Sequence, residues 1–513
     1  MPKHTLIPFP PELLAAKKQI REQAKSYGLD FFPTIFEMCD WEQMNQIAAY
    51  GGFPQRYPHW RFGMEYEKLR KQHHYGLGRI YEMVINNDPC YAYLQESNGL
   101  VDQKLVIAHV YGHCDFFKNN LWFSQTNRKM MDEMANHATR VRRYIEQHGY
   151  DTVERWLDVC LSIEDLIDPH SMFLNRGPND EAARPQQRSG GEMQVTRFKS
   201  KEYLDRWINP KEKLEAEAKH LREKAAKAYR ATPTRPTKDV LLYLLEHAHL
   251  EDWQADCLSI VREEAYYFAP QGMTKVMNEG WASYWHSTLM SKHFVTAAEI
   301  IDYADHHSGT VHMPPGGFNP YKIGIELFRD IEDRWNKGRF GKDYEEAENL
   351  GEKKRWDKGL GLGREKIFEV RRVYNDVQFI DEFMTPEFIE KHKFYQYGRD
   401  PHTGQLRIVS RDPVRIKQTL LYQLTNLGRP FIYVVDGNYA NRGELYLAHK
   451  HNGLDLEIKF AVETLKNVSR VWQRPVHIQA KIDDEMMLFT FDGTQIKQQT
   501  IHDDLPKPAH AIA

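Results

Sequence analysis

Residues 104–120, KLVIAHVYGHCDFFKNN, set His109 and His113 four apart in a run that reads as a helix. Residues four apart on a helix share a face, so this spacing offers two imidazoles to one point in space. With 24 histidines in 513 residues, chance alone supplies about one such pair, so the motif needs support from elsewhere in the chain. Two readings stand side by side: a metal-binding pair, or two histidines satisfied by hydrogen bonds inside a helical bundle. Gly112 is a poor helix former, tolerated most easily where another segment approaches the backbone closely.

Support comes from residues 250–290, LEDWQADCLSIVREEAYYFAPQGMTKVMNEGWASYWHSTLM. On a helix, Trp253, Cys257, Ile260, Val261, Glu264 and Phe268 form one apolar stripe that Glu264 interrupts. A carboxylate facing a core requires a partner, which is either an arginine from another helix or the chemistry of a site. After a turn at Pro270-Gln-Gly, Asn278 is expected to cap a second helix, with Glu279 in its first turn. Carboxylates also occur there for helix-dipole reasons alone. Gly280 and Ala282 leave room for another helix, and His286 lies two turns beyond Glu279 on the same face. His109, His113 and Glu279 together have the two-histidine, one-carboxylate composition of a catalytic zinc site.

The whole chain constrains this reading without selecting it. Its 41% hydrophobic, 12% aromatic and 27% charged residues are those of a globular protein, and a net charge of −3 gives no footprint for nucleic acid. Five scattered cysteines with no CxxC pair suggest neither a disulfide framework nor a thiolate zinc site, and hence a reducing compartment. No targeting segment or membrane span is expected, and the protein is read as cytoplasmic.

Residues 1–168 read as a helical region carrying the histidine pair, and 169–196, rich in Pro, Gly, Asn and Gln, as a linker or lid loop. Residues 197–335 read as a second helical region of the same catalytic unit, opening on a charged helix from Pro210, and 336–395 as a charged connector. From 396 to 513 the pattern becomes α+β: RPFIYVVDGN, GELYLAHKHNG, PVHIQAKI and EMMLFTFDG read as strands bounded by turn residues. The fold class expected is mainly α, a helical zincin-like metalloprotein domain followed by a small α+β C-terminal domain.

GLDFFPTIFE, AAYGGFPQRYPHWRFGMEYE, YEMVINNDP, HVYGHCDFFKNN, IVREEAYYF and NEGWASYWH run the length of the chain, which through them resembles the SpoVR family (stage V sporulation protein R-like). That resemblance implies a sporulation or stress role, and as partners a serine protein kinase with an ATPase-type domain and a von Willebrand A-type protein. Separately, Glu279-Gly-Trp-Ala-Ser-Tyr284 resembles the EGWA-x-Y segment of helical zinc peptidase-like families, which implies Glu279 as third metal ligand after the histidine pair. Those families carry a catalytic glutamate after the first histidine, where this chain has Val110.

The expectation is therefore a zinc-dependent hydrolase of an amide or peptide bond, with a peptide or peptidoglycan-derived substrate. His109, His113 and Glu279 hold zinc, Glu264 acts as base, and His286 or Tyr284 stabilises the oxyanion. Asp115, Asn119 and Asn120 are expected to orient the histidines. Arg56, Tyr57, His59, Trp60 and Arg61 read equally as substrate contacts and as interface anchors. The rival reading is an adaptor that keeps structural metal without catalysis and works by binding the kinase and its neighbour.

Overall fold

The structure, a computed structural model, describes residues 7–75, 80–173, 235–400 and 402–501, with isolated positions between 210 and 233. Most of the expected loop at 169–196 and the charged helix from Pro210 lie outside the described residues. The chain is mainly α with a small α+β C-terminal region, and it divides into two compact units. The first unit comprises 1–154 and 266–429, the second 155–265 and 430–513. The strand-rich region expected from 396 thus begins inside the first unit, with a small hairpin, Gln396–Arg399 against Leu406–Ser410.

The first unit begins with α1 (Pro11–Ser26), β1 (Thr34–Cys39), α2 (Trp41–Ala49), α3 (Trp60–His74), β2 (Glu82–Ile85), β3 (Cys90–Gln95) and α4 (Leu100–Asn119). The strands form a sheet of order β1-β3-β2, with β1 parallel and β2 antiparallel to β3. Helical spacing in the sequence did not disclose them, because both faces of this sheet are covered. Phe36, Met38, Ala92 and Leu94 pack into the core that contains α4, whereas Cys39, Ile85 and Tyr93 pack against Met44 and Ile47 of α2. A strand buried on both sides loses the alternation that would identify it.

α4 is buried around nearly its whole circumference from Leu105 to Phe117. A helix apolar on all sides is a core helix, surrounded rather than laid on a surface. Around it stand α1, α9 (Lys275–Leu289), α10 (Ile300–Thr310) and α12 (Gly363–Val373), with α11 (Pro320–Lys337) packed on α9 and α12, the numbers α5 to α8 falling to Met130–His148, Tyr150–Ser162, Val240–His247 and Asp252–Met273. The expected charged connector contains α12, α13 (Asp376–Phe383) and α14 (Pro386–His392), which bury Ile367, Val370, Phe379, Phe383 and Phe388. Most of its charges occupy the outer faces of short amphipathic helices, Arg371 and Asp376 being buried exceptions.

Glycines set how closely these helices pack. A Cβ on Gly112 of α4 would lie 2.7 Å from the Ala282 Cα of α9. One on Gly280 of α9 would lie 2.4 Å from the Gly324 Cα of α11. Three helix backbones therefore touch, and only residues without side-chain bulk fit between them.

In the second unit, five strands lie in the order β10-β9-β8-β7-β6, where β6 is Phe431–Tyr439, β7 Glu444–Lys450, β8 Val476–Ile482, β9 Glu485–Phe491 and β10 Ile496–Thr500. The four strands read from the sequence form, and β10 adds an edge. β7 and β8 are parallel, joined by the helix Ile458–Trp472, which buries Leu465, Val468, Val471 and Trp472.

Gly280→Ala provides a test of the glycine contact. Ala gains about 1 kcal/mol of helix propensity over Gly, whereas forcing a methyl against backbone costs about 1–3 kcal/mol or more, so the variant should be net destabilised. Gly63→Ala in α3, where an added Cβ meets nothing within 4 Å, should be neutral or stabilised. Denaturant unfolding of both decides; equal stabilities would refute close packing at Gly280.

Candidate metal centre

α4 presents His109 and His113 one turn apart, and α9 presents Glu279 opposite them. The Glu279 Oε2 lies 3.6 Å from His109 Nε2 and 3.5 Å from His113 Nε2, and the two Nε2 atoms are 2.9 Å apart. Ligand atoms around a tetrahedral zinc at about 2.0–2.2 Å are separated by roughly 3.3–3.6 Å, so the carboxylate edges fit and the imidazoles need only open by a few tenths of an ångström.

The outer nitrogens fix which atoms point inward. His113 Nδ1 donates to Asn278 Oδ1 at 2.8 Å, which leaves Nε2 as a lone pair. His109 Nδ1 is 2.9 Å from His286 Nδ1, and His286 Nε2 is 3.1 Å from His307 Nδ1. With each ring donating outward, this chain also leaves His109 Nε2 unprotonated. Burial, reinforced by His109, brings the His113 imidazole down to about 4, and burial drives His286 well below the ordinary histidine range. Two lone pairs then face each other beside Glu279 Oε2, a buried oxygen with no hydrogen-bond partner. Such a set is repulsive on its own and is satisfied by a cation. Burial raises the Glu279 carboxyl, but the two imidazoles and Lys275, 3.8 Å away, bring it below the usual carboxylate range.

All but one of the residues of the EGWA-x-Y stretch meet a defined neighbour, the exception being Ser283, whose buried hydroxyl has no hydrogen-bond partner among the described residues. Glu279 faces the histidines, Gly280 meets Gly324, and the Trp281 indole donates to Asp115 Oδ2 at 2.8 Å. Ala282 meets Gly112, and the Tyr284 hydroxyl donates to Glu332 at 2.5 Å. The polar atoms of Tyr284 and His286 are thus engaged with Glu332 and with the other histidines. Asn278 is no helix cap: α9 starts at Lys275, and Asn278 orients His113 from within the helix. The missing cap comes from Asp376, which accepts from the N–H groups of Val276 and Met277 and whose carboxyl burial pushes up to about 7. α8 also runs through Pro270 to Met273 rather than ending in a turn there.

Asp115, Asn119 and Asn120 do not orient the histidines. Asp115 accepts from the Asp30 N–H and Trp281 and pairs with Arg371. Asn119 donates to the Asp30 and Asp115 carbonyls, and Asn120 to those of Arg371 and Tyr374. These three lock α4 to its surroundings, and His286 and Asn278 do the orienting.

Two residues that the sequence reading passed over stand at the centre. Tyr321, at the start of α11, stacks on His109 with ring centroids 6.1 Å apart, and burial followed by the charges of Glu279 and Glu82 raises its phenol. Glu82 opens β2 and shares a sheet face with Val84, which packs into the α4 core, while Met83 and Ile85 face α2. Burial raises its carboxyl, His109 lowers it and Glu279 raises it further. Tyr321 lies in none of the stretches that carry the resemblance; Glu82 lies within one of them, YEMVINNDP, but nothing in its spacing marked it as facing the histidines.

Glu264 is buried, as its stripe position implied, in the part of α8 that belongs to the second unit, and it has a partner. In the arginine and aromatic segment, Arg56, Tyr57 and His59 are buried, with the Arg56 guanidinium over the Phe62 ring and His59 capping α3. Trp60 and Arg61 are exposed.

A family model described as "SpoVR like protein" matches residues 10–429, and one described as "SpoVR-like C-terminal domain" matches 430–483. The chain belongs to the SpoVR family. It is 32% identical over 503 residues to "Uncharacterized protein YcgB" of Escherichia coli (strain K12), covering 91% of each chain. No solved structure matches it. The junction of the two family models coincides with the division of the units at 429 and 430.

The geometry predicts one divalent transition ion per chain, lost in His109→Ala, His113→Ala and Glu279→Ala. Asn278→Leu, which removes only the acceptor behind His113, should weaken affinity roughly 10–100-fold. Elemental analysis after chelator-free purification, with metal titration, checks this; absence of metal in both would refute it.

Proposed function

We propose that this protein is a metal-dependent hydrolase of an amide or peptide bond, with zinc as its ion. The observation that carries the reading is the convergence of His109 Nε2, His113 Nε2 and a buried Glu279 oxygen within 3.6 Å of one another, with no fourth protein donor in that group among the described residues. Three protein donors characterise catalytic zinc sites, whereas structural sites have four. Bound there, zinc supplies Lewis acidity towards a carbonyl oxygen and lowers the pKa of water.

The chain's own residues supply the proton transfers. Val110, fully buried, occupies the position of the peptidase glutamate, so the proton acceptor must come from another element. Glu82 is our first candidate, since its charge bears on His109 and Glu279 and its burial favours proton uptake. It takes the proton of the attacking water and returns it to the leaving amine. Glu264 is the second candidate, on its burial in an apolar stripe. The Tyr321 hydroxyl, rather than that of Tyr284, donates to the developing oxyanion. Trp60 and Arg61 are the substrate contacts left accessible from their segment. Peptides, including peptidoglycan-derived ones, fit an amide-cleaving site and the sporulation association that the family's name carries.

Val110 also favours the second reading, an adaptor that holds metal without turnover and binds a serine protein kinase and a von Willebrand A-type protein. Turnover of a peptide and muropeptide library, followed by mass spectrometry, separates the two. Glu82→Gln should retain metal and lose roughly 10²–10⁴-fold in rate, with Glu264→Gln near wild type. The reverse pattern would transfer the role to Glu264, and no turnover by metal-loaded wild type would leave the adaptor.

A further inference from the structure

On the other side of the β1-β3-β2 sheet from Glu82, α2 and α3 enclose a second feature. An Asp40 capping box starts α2 at Trp41, which places Trp41 and Asn45 one turn apart on the same face. Together with Leu69, Gln72 and His73 of α3, they line a partly enclosed cavity of about 210 Å³. The Trp41 and His73 rings lie parallel there, 4.9 Å between centroids and 4° apart in plane. An apolar cavity of about 150 Å³ accommodates benzene, so the space suits a small organic group rather than a lone water.

Asn45 is only 5% exposed, and its Nδ2 has no hydrogen-bond acceptor. Buried amide donors are almost always satisfied, and leaving one unpaired is costly. Among the described residues the lining contains no carboxylate, lysine or arginine, so within that set a charged ligand finds no fixed counterion and would be desolvated at a cost. What fits is a hydrogen-bond acceptor carried by an uncharged body.

We propose that this cavity binds an uncharged N-acylated ligand, whose amide carbonyl accepts from Asn45 Nδ2 once that buried amide turns into the cavity, while its apolar part packs against Trp41 and Leu69. Peptides and N-acetylated sugars share this chemistry. The site is independent of the metal centre, and neither Glu82 nor His109, His113 and His286 take part in it.

Titration calorimetry and saturation-transfer NMR on the full chain test it, with N-acetyl-leucinamide and N-acetylglucosamine as probes and acetate and leucine as charged controls. Wild type should bind at least one N-acylated probe and neither control, and the preferred probe identifies the source. Asn45→Leu should lose at least tenfold in affinity with metal content unchanged. Its unfolding midpoint should be unchanged or raised, since the unpaired donor is gone. Leu69→Trp, which fills the cavity from α3, should abolish binding and serves if Asn45→Leu does not fold. Failure of wild type to bind either N-acylated probe at millimolar concentration, equal binding of the charged controls, or undiminished binding by both variants would overturn the proposal.

Discussion

Three helices touch backbone to backbone, and the rest of the first unit is arranged to allow it. Gly112 against Ala282 brings α4 to α9, and Gly280 against Gly324 brings α9 to α11. Two helices separated by ordinary side chains stand 8–10 Å apart, a span that two imidazoles and a short carboxylate would not bridge to one point. The glycines reduce that distance, and so three donor atoms from two helices converge within 3.6 Å of each other. Packing and chemistry meet on α4, where Gly112, which admits α9 at Ala282, directly precedes His113.

Around that contact the polar groups form two systems. One is the outward orientation of the imidazoles, His109 by His286 and His286 by His307, with His113 held separately by Asn278. The other is the buried set Asp115, Trp281 and Arg371, which ties α4, α9 and α12 together away from the donor atoms. Asp115 follows the histidine motif by two residues, yet it serves the second system. Its carboxyl, raised by burial to about 6 although Arg371 opposes the rise, belongs to the scaffold.

The sequence made the histidine pair legible because helical spacing translates directly into a shared face, and made the Gly and Ala positions legible because small residues in a helix need a neighbour. The C-terminal strands were legible because each is bounded by turn residues. What escaped was whatever depends on contact between distant segments. β1, β2 and β3 are short and covered on both faces, so alternation could not reveal them, and Glu82 was hidden with them. Asn278 resembled a cap because it precedes a carboxylate and a helix, but the helix begins three residues earlier and takes its cap from Asp376.

That borrowed cap has a consequence for how the protein is made. Val276 and Met277 bond a residue about 100 positions later in the chain. At roughly 5–20 residues per second, the ribosome needs about 5–20 s to reach Asp376 after α9 has been synthesised. During that interval the helix carrying Glu279 lacks the acceptor for its first turn, and Gly280 lacks α11 for part of the time. The donor set can take up this arrangement only after residue 376 has been made, so its geometry belongs to the largely completed chain and not to the nascent one.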